Sequence, residues 1–276
     1  MTTVFLLAAY GWAWLVWIPF VIIQKRSGGE FPLLVVAIGA YGPTIAAVIV
    51  TAWMDGAGGV RQLLRKYVIW RVHPGWYLAA VLVPSIPAVA VTAIHLWRGG
   101  PLGSPDIDRV AALPVAAGLS VLVGPLGEEL GWRGFLLPRL AERMDLLSAS
   151  LLVGVVWTFW HAPLFWAPSG SLISGAPVTV QSVAVFLAIV AGLSCLIAWV
   201  WHHARGSVVL TILMHLSINM NLLATIFPAA ARAQQQMAYA GIVALWLLVL
   251  TIIVAERRTW FGRRSGGDVD DVVSSS

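Results

Sequence analysis

Residues 110–134 read "VAALPVAAGLSVLVGPLGEELGWRG", and the fold turns on what this stretch is. Residues 110–126 are apolar or small and carry no charge, so they can cross most of a bilayer as a helix at ~1.5 Å of rise per residue. The run then meets two glutamates side by side, Glu128 and Glu129, followed by Arg133. An ionisable side chain at mid-helix in hydrocarbon costs about 2.5–3.5 kcal/mol on the insertion scale, so such groups face a cavity or a partner.

The rest of the chain has the same character. Of 276 residues, 59% are hydrophobic and 11% charged, 15 are tryptophan, and the mean hydropathy is +0.86, which excludes an ordinary soluble domain. Charge-poor stretches recur at approximately 3–23, 32–53, 76–97, 110–127, 146–166, 178–201, 207–227 and 237–255. The expectation is an all-α, polytopic membrane bundle of about eight transmembrane helices, with any active site inside the bundle near the cytoplasmic side. The first stretch has no basic n-region and is too long for a leader core, so it reads as a retained span. Residues 1–260 form one helical membrane domain on this reading, and 261–276, rich in Gly, Ser and Asp, a disordered cytoplasmic tail. The stretch 54–76 has the make-up of an interfacial helix with Trp anchors.

The formal charge of +5 is topological and calls for no nucleic acid. On the eight-span reading, Arg61, Arg65, Lys66, Arg71, Arg133, Arg139, Arg143, Arg205, Arg257, Arg258, Arg263 and Arg264 fall on one side. Only Lys25, Arg26, Arg98, Arg109 and Arg232 fall on the other. By the positive-inside rule both termini are cytoplasmic and the protein is a multi-pass protein of the cell membrane. The single cysteine, Cys195, excludes an intramolecular disulfide and a multi-cysteine metal cage, and reads as a packing residue.

Few polar side chains lie within the spans. Glu129 and Arg133 are four apart, so on one helix they share a face and neutralise each other. Glu128 points about 100° away and is left for another task. Gly124, Gly127, Gly131 and Gly134 thin this helix and let neighbours approach, here expected to be spans five and seven. His215 and Asn219 are also four apart on one face of span seven. His161 stands just before Ala162-Pro163, where proline removes a backbone donor. Each of these has a plainer reading, as a helix-end salt bridge or as interhelical hydrogen bonding. His202 and His203, beside Arg205, and His73 and His95 read as interfacial anchors, and Asn221 turns away from the His215 face.

A carboxylate, two imidazoles and a carboxamide on different helices suit hydrolysis of a peptide bond, with glutamate taking a proton from water and His or Asn donors holding an oxyanion. "EELGWR", "WTFWH" and "HLSIN", in that order on successive spans, resemble the Glu-Glu-x-x-x-Arg, aromatic-x-x-x-His and His-x-x-x-Asn motifs of the CAAX-protease and bacteriocin-processing (CPBP) family of intramembrane endopeptidases. The resemblance covers about 110–225 and is closest in kind to bacterial members. It implies Glu128 as the carboxylate that activates water and His161 as a second holder of that water. It further implies His215 and Asn219 as the oxyanion site, with Glu129 and Arg133 as braces. Trp157 stands where the family often has Phe, and with Trp132 it is expected to line the substrate pocket. A zinc-dependent version of the reaction, with Glu128, His161 and His215 as ligands, is the alternative. The implied partners are a membrane-associated peptide or protein substrate and the lipid bilayer; the sequence leaves oligomeric state, and CAAX processing against peptide maturation or bacteriocin immunity, open. Three other classes use the same residues: a transporter, a haem protein with His161 and His215 as axial ligands, and a scaffold whose polar groups only fix packing.

Overall fold

The computed structural model describes residues 1–28, 32–167 and 177–262; the expected tail lies, from residue 263 onward, outside the described residues. Among the described residues the chain is helical and has no strand. Its composition requires this, because in hydrocarbon each backbone N–H and C=O must find its partner within the segment.

The elements run in chain order. α1 (Thr2–Ser27) is followed by α2 (Leu33–Ala40) and α3 (Gly42–Arg65), then α4 (Pro74–Leu82) and α5 (Ile86–Trp97). The opening stretch becomes α6 (Ile107–Val123), α7 (Pro125–Glu129), a π-helical turn (Leu130–Leu136) and α8 (Leu137–Ala141). After it come α9 (Leu146–Trp160), α10 (Val180–His203), α11 (Val208–Met220), α12 (Leu222–Ile226), α13 (Pro228–Gln236), α14 (Ala238–Ala255) and α15 (Arg257–Phe261).

Seven helical runs among the described residues are long and apolar enough to span a membrane, where the sequence suggested eight. The difference is the fifth: α9 has 15 residues, stops at Trp160 and gives way to a 3-10 turn, Ala162–Trp166. Pro163 causes the stop, since its ring and missing N–H bar the next α-helical turn; the Leu164 amide turns back to the His161 carbonyl at 2.8 Å instead. The expected interfacial helix is partly a continuation of α3, which bends at Gly56 with φ 63, a left-handed conformation natural to glycine.

Contacts join several of the connecting segments to one another. Arg139 lies 4.0 Å from Asp55, the Arg205 guanidinium donates to the Arg71 carbonyl at 3.1 Å and the Ser207 hydroxyl to the Ile69 carbonyl at 2.5 Å. Most of the arginines fall here, at what is called below the basic end. Leu7, Leu15, Leu78, Val115 and Leu247 are exposed around the flanks, whereas Phe5, Trp17, Trp132, Trp160 and Leu196 are buried between helices. Large apolar side chains on the outside are what a lipid solvent allows.

Candidate active site

Gly124-Pro125 decides where the first carboxylate stands. A residue before proline is pushed out of the α region; Gly124 sits at φ −134, ψ −83, ends α6 and starts the five-residue α7, with Pro125 at its first turn. Glu128 and Glu129 close α7, and the π turn that follows carries Arg133. π turns of this kind are frequent at functional sites. Two side chains from the 3-10 turn after α3 hold this stretch: Lys66 Nζ donates to the Gly134 carbonyl at 2.6 Å and Tyr67 Oη to the Leu126 carbonyl at 2.8 Å.

Span two packs where spans five and seven were expected. A Cβ at Gly131 would overlap Pro43, and one at Gly127 would lie 2.8 Å from the Ala40 carbonyl oxygen. The two glycines therefore admit the α2–α3 junction. Only Gly134, 3.5 Å from Val208, and Gly124, 3.8 Å from Asn219 Nδ2, face span seven, distances again measured from a Cβ built at the glycine.

Glu129, Arg133 and His215 form one unit. Arg133 Nη1 donates to Glu129 Oε1 at 2.8 Å, and His215 Nδ1 lies 2.9 Å from the same oxygen. Glu129 and Arg133 are fully buried and His215 is 4% exposed. Arg133 Nη2 reaches Ser194 Oγ at 3.4 Å, and that hydroxyl donates to the Ser150 carbonyl at 2.8 Å. Because Glu129 Oε1 accepts from arginine, the proton of the His215 contact sits on Nδ1. Neutral His215 therefore offers a lone pair at Nε2, and it can donate there only as the imidazolium.

Glu128 and His161 meet through Trp157, which α9 presents one turn before its end. The indole N–H donates to Glu128 Oε2 at 2.6 Å, and His161 Nδ1 donates to the Trp157 carbonyl at 2.7 Å, leaving His161 Nε2 as an acceptor. The same indole lies 4.6 Å below the Arg133 guanidinium and meets the His215 ring edge-on at 5.0 Å. The other carboxylate oxygen, Glu128 Oε1, borders the space over Gly124, where a Cβ would sit 3.3 Å from it and 3.8 Å from Asn219 Nδ2. Asn219 is exposed, so it is the member of this group nearest the outside.

Both tryptophans singled out in the sequence are buried. Trp157 supports the carboxylate and is 4% exposed. Trp132 is fully buried, wedged edge-on between Phe5 and Trp160 with both centroids at 5.7 Å, and packs within the core. The zinc alternative does not fit this arrangement: among the described residues no three His, Cys, Asp or Glu side chains gather into a set that could hold a metal ion. Sequence reasoning missed Ser194, Lys66 and Tyr67, which carry no local signal, and Gly124-Pro125, which does.

Residues 110–221 match the family model described as Type II CAAX prenyl endopeptidase Rce1-like. Over 154 residues the chain is 29% identical to a protein of Methanococcus maripaludis named CAAX prenyl protease 2, an alignment covering 56% of this chain and 54% of the relative. The chain thus spans about half the length of the curated relative it matches. The family model spans the helices that carry Glu128, His161 and His215, and with the relative it bears out the resemblance to the CPBP family of intramembrane proteases.

Proposed function

We propose that this chain is an intramembrane endopeptidase that hydrolyses a peptide bond with a water activated by Glu128. The observation that carries the reading is the division of labour on one buried carboxylate: Oε2 is held by the Trp157 indole, while Oε1 lies over Gly124 beside Asn219. His161 Nε2, an acceptor because Nδ1 is spent on a carbonyl, is the second group to hold that water. Two acceptors occupy its hydrogens and leave an oxygen lone pair for the carbonyl carbon.

The water oxygen bonds to the scissile carbon as its proton passes to Glu128. Asn219 donates to the oxyanion, and His215 does so from Nε2 as an imidazolium whose Nδ1–H faces Glu129. The C–N bond then breaks and Glu128 returns the proton to the leaving amine. Glu129 and Arg133 brace the cluster.

The substrate class is a membrane-associated peptide or protein, and the name of the relative makes a prenylated C-terminal tail the first to try. The basic end faces the cytoplasm on this reading, with both chain ends there. His215 lies seven residues into α11, about 10 Å of helix from that end.

The test uses purified protein in lipid nanodiscs and a panel of prenylated and unmodified peptides, with cleavage read by mass spectrometry. Glu128→Gln, His161→Ala and His215→Ala should each lose cleavage by about 100-fold or more while unfolding at the wild-type temperature. Cleavage retained in Glu128→Gln would overturn the assignment. Chelator treatment and zinc analysis of the same sample should leave activity intact and find no stoichiometric metal.

A further inference from the structure

At the basic end, away from the carboxylates, the α3–α4 loop and the α10–α11 turn enclose a cavity of about 230 Å³. Arg71, Val72, His73, Trp76, His203 and Arg205 line it. Arg205 is held at φ 54, a conformation that non-glycine residues seldom adopt, and its guanidinium ties the two loops through the Arg71 carbonyl at 3.1 Å. Arg71, His73 and Arg205 are all exposed, so the cavity is open to a ligand.

Its polar lining consists of donors. His73 Nδ1 accepts from the Gly75 amide at 3.1 Å, which puts its ring hydrogen on Nε2. His203 stacks on Trp76 at 4.4 Å and faces Glu256 Oε2 at 3.0 Å. Glu256 also accepts from the Trp199 indole at 3.1 Å, so the nearby carboxylate is engaged on the far side of His203 and does not line the cavity. Two arginines and a histidine donor, with no acid in the lining, complement an anion with several oxygens.

The surroundings say what bears that anion. Val68 and Trp70 are exposed beside the cavity, and Trp70 lies 5.2 Å under the Arg71 guanidinium. Exposed indole and aliphatic groups next to arginine are the pattern of a membrane–water interface, where basic pockets between helices receive lipid headgroups. We infer that this cavity binds the phosphate of an anionic phospholipid, with Arg71 and Arg205 as the paired cations and His73 as a third donor.

The test is independent of any peptidase activity. The protein is purified from mixed phosphatidylglycerol and phosphatidylcholine vesicles, and retained lipid is counted by native mass spectrometry. Wild type should retain phosphatidylglycerol in preference to phosphatidylcholine. Arg71→Gln with Arg205→Gln should lower that retention about tenfold, whereas Arg61→Gln with Arg65→Gln, at the same end but outside the cavity, should not. The single exposed substitution Arg71→Gln should show a partial loss and covers the case of a double variant that fails to fold. Equal retention in the cavity variants, or displacement of the lipid by millimolar inorganic phosphate, would overturn the proposal, the second by making free phosphate the ligand.

Discussion

An indole at position 157 differs from a benzyl group by one N–H that matters, and that N–H reaches Glu128 at 2.6 Å. Trp157→Phe keeps an aromatic ring for Arg133 and His215 to pack on but frees the carboxylate to rotate. A hydrogen bond to a charged group contributes about 1.5–3 kcal/mol of stability, so stability in thermal unfolding should fall by that order and turnover should drop with it as Glu128 loses its fixed orientation; wild-type turnover would show that Glu128 needs no such support. Glu129 has a different profile. Glu129→Ala leaves Arg133 buried at 0% exposure without its carboxylate, and breaking a buried pair from one side costs about 3–5 kcal/mol. Thermal unfolding in detergent should show that loss, and Glu129→Leu combined with Arg133→Met should recover most of it without restoring cleavage. The i, i+4 spacing of Glu129 and Arg133 was legible in the sequence because both partners sit on one helix. The indole bond to Glu128 was not, because its partners are 29 residues apart on helices whose packing no local pattern encodes.

At the scale of the element, glycine spacing announces a close approach without saying what approaches. The spans themselves were readable from apolar run length, and the break after α9 from Pro163. The occupant of the glycine face was only half legible: Gly127 and Gly131 meet the α2–α3 junction at Ala40 and Pro43, whereas Gly134 and Gly124 face span seven as expected. Two neighbouring glycines therefore make a contrast. Gly131→Ala forces a methyl group into Pro43 and should cost about 1–3 kcal/mol of stability. Gly124→Ala meets Glu128 Oε1 at 3.3 Å, Asn219 Nδ2 at 3.8 Å and the Ser120 carbonyl at 3.9 Å, so it should cost less stability than Gly131→Ala while displacing the carboxylate and suppressing cleavage. Unfolding assays and peptide cleavage on the two variants together check it; full activity in Gly124→Ala would move the reaction site elsewhere.

For the whole molecule, the proposed reading puts both chain ends on the same side as the basic loops. Reporter fusions after Phe261 and ahead of Met1 should both report the cytoplasm, and a split result would break the orientation read from the arginines. The short α9 has a consequence for the bilayer itself. Fifteen residues amount to about 22 Å of helix, against a hydrocarbon thickness of about 30 Å. A membrane relieves such a mismatch by thinning around the short segment. Thinning at the end of α9 would bring headgroup water toward His161, the residue to which the proposed reaction gives a share of its water.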